Sequence, residues 1–83
     1  MSEQLENVQP SSLRLVRRDR EKRMARFYTL HSVPTIFGGW DLVREWGHTG
    51  SPGNLRIDPF ETLKESEHAL RRIEKQKRKR GYL

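Results

Sequence analysis

The chain has no cysteine, which excludes disulfides and thiolate metal sites. No apolar run approaches the roughly 20 residues that a membrane-spanning helix requires. The opening Met-Ser-Glu-Gln-Leu-Glu-Asn lacks the charged-then-apolar order of a secretory leader. A cytoplasmic location without a membrane partner is therefore expected. Hydrophobic residues are scarce at 33%, against 34% charged, so any core must be thin. At 83 residues there is room for one small domain, near the size at which apolar burial only just offsets chain entropy. Catalytic signatures are also missing. No carboxylate pair sits in an apolar setting, no nucleophile motif appears, and no glycine loop has the Gly-x-x-x-x-Gly-Lys-Ser/Thr order that cradles phosphates. His31, His48 and His68 come from three separate segments without ligand-like spacing. Neither an enzyme, a metal site nor a cofactor is expected.

What the chain has in excess is positive charge. Lys plus Arg number 17 against 11 Asp plus Glu, giving a formal +6, with a sequence pI near 10.3. A polyanionic partner is the first inference. The placement is uneven: seven cations lie between Arg14 and Arg26, seven more between Arg71 and Arg80, and the middle is nearly balanced. Helix C-termini favour cations through the macrodipole. Lys75, Lys77, Arg78, Lys79 and Arg80 exceed that need, because neighbouring like charges repel unless something anionic screens them. Phosphate backbone would be such a screen. The earlier cluster is diluted by Asp19 and Glu21 and reads equally well as a solvated strand face.

Hydrophobic periodicity orders the rest. Residues 1 to 11 are polar, carry Pro10 and show no period, which reads as a disordered lead before a single domain over 12–83. Leu13 to Arg17 alternates as a short strand with Asp19 to Lys22 as its turn, and Ala25 to Ser32 is a second strand rich in β-prone residues. Val33 to Gly39 is a loop bearing Ile36 and Phe37, a candidate anchor for a protein partner. Trp40 to Trp46 is a third strand and Asn54 to about Asp58 a fourth. Thr62-Leu63-Lys64-Glu65 fits a capping box, Leu63, Leu70 and Ile73 share a helix face, and Gly81 supplies the stop. The expected fold is α+β: a small antiparallel sheet of about four strands with one C-terminal helix across a face.

The densest chemistry lies in Trp40 to Gly53. By the two-residue period Trp40, Leu42, Arg44 and Trp46 share one strand face. Trp40 reads as packing, whereas Trp46 is the last side chain before a turn containing Gly47, Gly50 and Gly53. Those glycines would let a ligand's backbone approach an aromatic plate. Arg44, in phase with Trp46, would lie beside the tryptophan or pair with an acid of a neighbouring strand.

This segment resembles the WGR domain, named for a Trp-Gly-Arg triplet and found in DNA-dependent poly(ADP-ribose) polymerases and short bacterial proteins. The resemblance runs from Arg26-Phe27-Tyr28 through Trp40 to Gly50 and on to the basic run ending Gly81-Tyr82. It implies that Trp46 stacks on a sugar at a DNA end and that Lys77 contacts a phosphate or base edge. The polymerases carry their catalytic residues in a separate domain, so the likeness implies binding without ADP-ribosylation. Here the triplet reads Trp46-Gly47-His48. Arginine would be permanently charged and forked, whereas neutral histidine offers one donor and one acceptor, so the contact is either weaker or dependent on pH. DNA is the expected partner, RNA the alternative on the same residues, and a protein partner through Ile36 and Phe37 the second alternative.

Overall fold

A computed structural model describes residues 10–83. Four strands follow one another in the chain, β1 (Ser12–Asp19), β2 (Met24–Pro34), β3 (Trp40–His48) and β4 (Asn54–Phe60), and then one helix, α1 (Leu63–Lys79). The sheet is a pure meander of order β1-β2-β3-β4, antiparallel throughout. The helix covers one face, so the α+β expectation is met element by element. The strands run longer than their alternation suggested. β4 continues through Pro59 to Phe60, which an edge strand tolerates because a missing N–H there can face away from the neighbouring strand. The polar lead lies, up to residue 9, outside the described residues.

Both helix ends follow from local chemistry. The Thr62 Oγ1 accepts from the Glu65 amide at 3.2 Å, and the Glu65 carboxylate accepts from the Thr62 amide at 3.2 Å. At the other end Gly81 adopts φ 96°, Tyr82 N–H donates to Lys77 carbonyl at 3.1 Å, and Gly81 N–H donates to Arg78 carbonyl at 3.1 Å. This is a Schellman turn, which needs glycine at the left-handed position. It folds Tyr82 back under the helix, where only 8% of it stays exposed. Leu83 then exchanges two backbone hydrogen bonds with Val16, tying the chain onto β1.

The core consists of Leu15, Tyr28, Leu30, Leu42, Ala69, Leu70 and Tyr82, with Leu13, Trp46, Phe60 and Ile73 packed against it. The helix comes close because Ser66 is fully buried and shares a 2.7 Å hydrogen bond with buried Ser32. Leu63 lies outside this cluster; Ser66 and Ala69 take the place expected for it. Trp40, read as packing, packs at the rim: it shares a face with Leu42 but sits at the strand's first position, half-buried and outside the core. Glu67 receives hydrogen bonds from Ser32 Oγ at 2.8 Å and from the Ser11 amide at 3.2 Å.

Candidate functional site

Register places the candidate residues in rows across the helix-covered face. One row runs Leu15, Tyr28, Trp46, Asn54 through consecutive cross-strand pairs. Tyr28 and Trp46 therefore stand side by side, and their rings stack with centroids 5.6 Å apart and planes 15° from parallel. Tyr82, delivered by the Schellman turn, meets Tyr28 edge-on at 6.3 Å. The Lys77 ammonium lies 4.5 Å from the Tyr28 ring centroid and 5.8 Å from that of Tyr82. Four side chains from β2, β3, the helix and the C-terminal turn thus converge at the helix's C-terminal end.

Arg44 completes this cluster from the row above. Its Nη2 pairs with Asp58 of β4 at 2.9 Å and its Nη1 donates to the Tyr28 hydroxyl at 3.4 Å. The acid of a neighbouring strand is therefore its partner. The Arg44 Nε is buried without a hydrogen-bond acceptor. Burial first, then the charges of Arg80 and Arg44, push the Lys77 ammonium below the usual lysine range. An ammonium held against aromatic faces with two guanidinium groups in its field carries a charge it would hold better beside an anion.

The next row outward has no helix above it. Arg17 pairs with Arg26, and Arg26 with His48, so three exposed nitrogen-bearing side chains lie abreast just past Trp46. Like charges directly opposite on a sheet are destabilising. A hollow of about 240 Å³ opens here between Arg17, Lys22 and Arg26, with Asp19 and Met24 completing its wall. Arg17 and Arg26 belong to the first basic cluster, whose solvated and functional readings stood level in the sequence. Only the register shows that Arg17 and Arg26 share the face of Trp46.

The predicted residues separate accordingly. Trp46, Arg44, Lys77 and His48 lie on one side of the molecule, with Arg80 close enough to act on Lys77. Lys75, Arg78 and Lys79 do not join them, because the helical period turns them onto the outer face around Arg71 and Glu74. Arg78 is paired there with Glu74 at 3.0 Å. Tyr28 and Tyr82 were missed as site residues. Tyr82 could have been found from the glycine before it, which reverses the chain, but Tyr28 needed the strand register.

The glycines also require a correction. Gly47 and Gly53 do not form an open cradle: a Cβ on Gly47 would lie 3.1 Å from the Gly53 Cα, and one on Gly53 would lie 3.0 Å from the Phe27 ring and 2.8 Å from the Trp46 carbonyl. Their bareness lets the turn close over Phe27 on the opposite face of the sheet. Of these three, only Gly50, at φ 87°, has open space around it, and its role is to turn the chain. The histidines are dispersed, His31 sharing a 2.7 Å hydrogen bond with Ser12 Oγ while His48 and His68 sit on β3 and the helix. Among the described residues no helix is long and apolar enough to cross a membrane.

Comparison with known proteins gives the chain a family. The model of the WGR domain matches residues 11–83. An uncharacterized protein of Sinorhizobium fredii, y4dW, is 35% identical over 74 residues, which is 89% of this chain and 36% of the relative. The chain thus spans little more than a third of the curated relative it matches. No solved structure matches.

Proposed function

Because the chain belongs to the WGR domain family, and because its tryptophan, tyrosine and lysine converge beside a basic row, we propose that it binds DNA at duplex ends or breaks. The observation that carries this reading is the Trp46 and Tyr28 stack, with Lys77 over the tyrosine ring and Arg17, Arg26 and His48 in the next row along the strands. Tyr28 occupies one face of the indole and holds it upright. The half-exposed remainder of Trp46 is the plate against which a terminal sugar or base packs. Lys77, over the Tyr28 ring, and the basic row two residues further along the strands take the phosphates around it. Among the described residues no helix or ribbon stands free to enter a groove, so affinity comes chiefly from phosphates and sequence specificity is low.

The test is a fluorescence titration of the protein against blunt duplex, nicked duplex, single-stranded DNA and single-stranded RNA of equal length, at two salt concentrations. A closed circular duplex, added as a fifth probe without ends, should bind more weakly than the blunt and nicked duplexes. Equal affinity for all four probes reduces the site to a general polyanion surface. Preference for RNA transfers the same residues to an RNA partner.

A further inference from the structure

The end of the molecule away from Trp46 carries a second surface of opposite character. The β2 to β3 turn presents Ile36 and Phe37 at 94% and 91% exposure. The turn is firmly built: Thr35 N–H donates to the Gly39 carbonyl at 2.9 Å, Gly38 N–H to the Thr35 carbonyl at 3.3 Å, and Gly39 N–H to Thr35 Oγ1 at 3.1 Å. It is also seated hard against β4, since a Cβ on Gly39 would come within 2.8 Å of the Phe60 carbonyl. The two apolar side chains therefore stand beside the hollow at their base instead of folding into it. Trp40, Pro59 and Phe60 line that hollow, which is wide and open.

Its charge sets it apart from the rest of the chain. Asp41 and Glu61 border the hollow, and among the described residues neither takes part in an ion pair. Two uncompensated carboxylates around an apolar hollow, in a chain of formal charge +6, repel phosphate backbone and attract cations. Residues 26 to 34 of β2 separate the two ends by about 26 Å of strand, so occupancy of one does not obstruct the other.

We propose that this surface docks a polypeptide segment of a partner protein whose apolar side chains are flanked by lysine or arginine. Leucine or phenylalanine of the partner fills the hollow between Phe37 and Trp40, and its flanking cations meet Asp41 and Glu61. A second copy of the chain would bring the same two carboxylates against each other, which the charges disfavour. This site is independent of the proposed DNA interface.

The chain's two tryptophans, Trp40 at this hollow and Trp46 at the other end, make the test direct. The indole N–H resonances are followed by NMR during titration with two short synthetic peptides. One has leucine and phenylalanine between lysines, and the other has glutamates in place of the lysines. The lysine peptide at millimolar concentration should move the Trp40 indole with saturation and leave Trp46 still, with the glutamate peptide weaker by about tenfold or more. Ile36→Ser with Phe37→Ser, at positions exposed enough to leave the fold intact, should abolish the response. Asp41→Asn with Glu61→Gln should bring the two peptides to equal affinity. The proposal is overturned if the lysine peptide leaves Trp40 unmoved, or if both peptides act equally on the unaltered protein. It is also overturned if the double serine variant still responds, or if the Trp40 resonance shifts with protein concentration alone, which would make the tip a contact between copies.

Discussion

Lys77 stands over Tyr28, its ammonium 4.5 Å from the ring centroid, although the two belong to a helix and a strand separated by most of the chain. The helix fixes the lysine, the strand fixes the ring, and Gly81 brings Tyr82 beneath both. Charge, aromatic surface and the neighbouring Trp46 are thereby held together without a flexible loop.

The lowered Lys77 pKa gives the first prediction a sign. A phosphate beside the ammonium favours its charged form, so the bound pKa lies above the free one and binding takes up a proton between them. Affinity should be highest below the free-state pKa, fall as pH rises through it, and level off above the bound value. Anisotropy titrations from neutral to alkaline pH measure this. Lys77→Arg should remove the fall, because a guanidinium does not titrate there; an unchanged profile would remove Lys77 from the phosphate.

Trp46→Ala should weaken binding to duplex ends by roughly 1 to 3 kcal/mol, the range for one stacked nucleotide, and affect long closed duplex much less. The stack with Tyr28 adds a stability loss of about 0.5 to 1.5 kcal/mol, which urea unfolding would register separately. Equal losses on ends and on closed duplex would assign Trp46 to packing.

Salt should act strongly. If roughly 4 to 6 phosphates are neutralised, log affinity falls against log salt with a slope of about −4 to −5. Replacing Arg17 and Arg26 together by glutamine should reduce that slope by about 1 to 2, whereas Arg78→Gln, already paired with Glu74, should change it little. His48→Arg restores a permanent fork beside Arg26 and should tighten binding at pH 8.

Two tryptophan and leucine truncations should separate rim from core. Leu42→Ala, at 0% exposure, should cost about 2 to 5 kcal/mol. Trp40→Ala, half-buried at the rim of the core, should cost less than Leu42→Ala in the same denaturant experiment.

Glu67 should make the domain sensitive to acid. Burial by itself would raise its carboxyl, but hydrogen bonds from Ser11 and Ser32 and the nearby Arg71 hold it below its ordinary value. A depressed folded-state pKa contributes stability that is complete above the unfolded value and lost as pH falls through the folded one. Unfolding midpoints measured from pH 7 to pH 3 should fall more steeply in the native protein than in Glu67→Gln.

Much of the architecture was legible because it rests on short-range rules. Alternation marked the first and third strands and β-prone composition the second, Thr62 and Glu65 announced the helix, and Gly81 marked its stop, since each depends on neighbours within about four residues. The strand ends were underestimated where exposure breaks the alternation, as at Pro59. Trp46, Lys77 and Arg44 stood out by residue type and by likeness to a known family.

The amino-acid order by itself determined the element sequence, the basic surplus and its concentration in two segments. Tertiary structure alone decided which cations share a face with Trp46. It turned Lys75, Arg78 and Lys79 outward, brought Arg17 and Arg26 into line with His48, and put Tyr28 against Trp46. It also filled the space beside Gly47 with Gly53 and Phe27. The reason is physical: periodicity fixes which way a side chain points along its own element, but its neighbours depend on cross-strand register and on where the helix crosses the sheet.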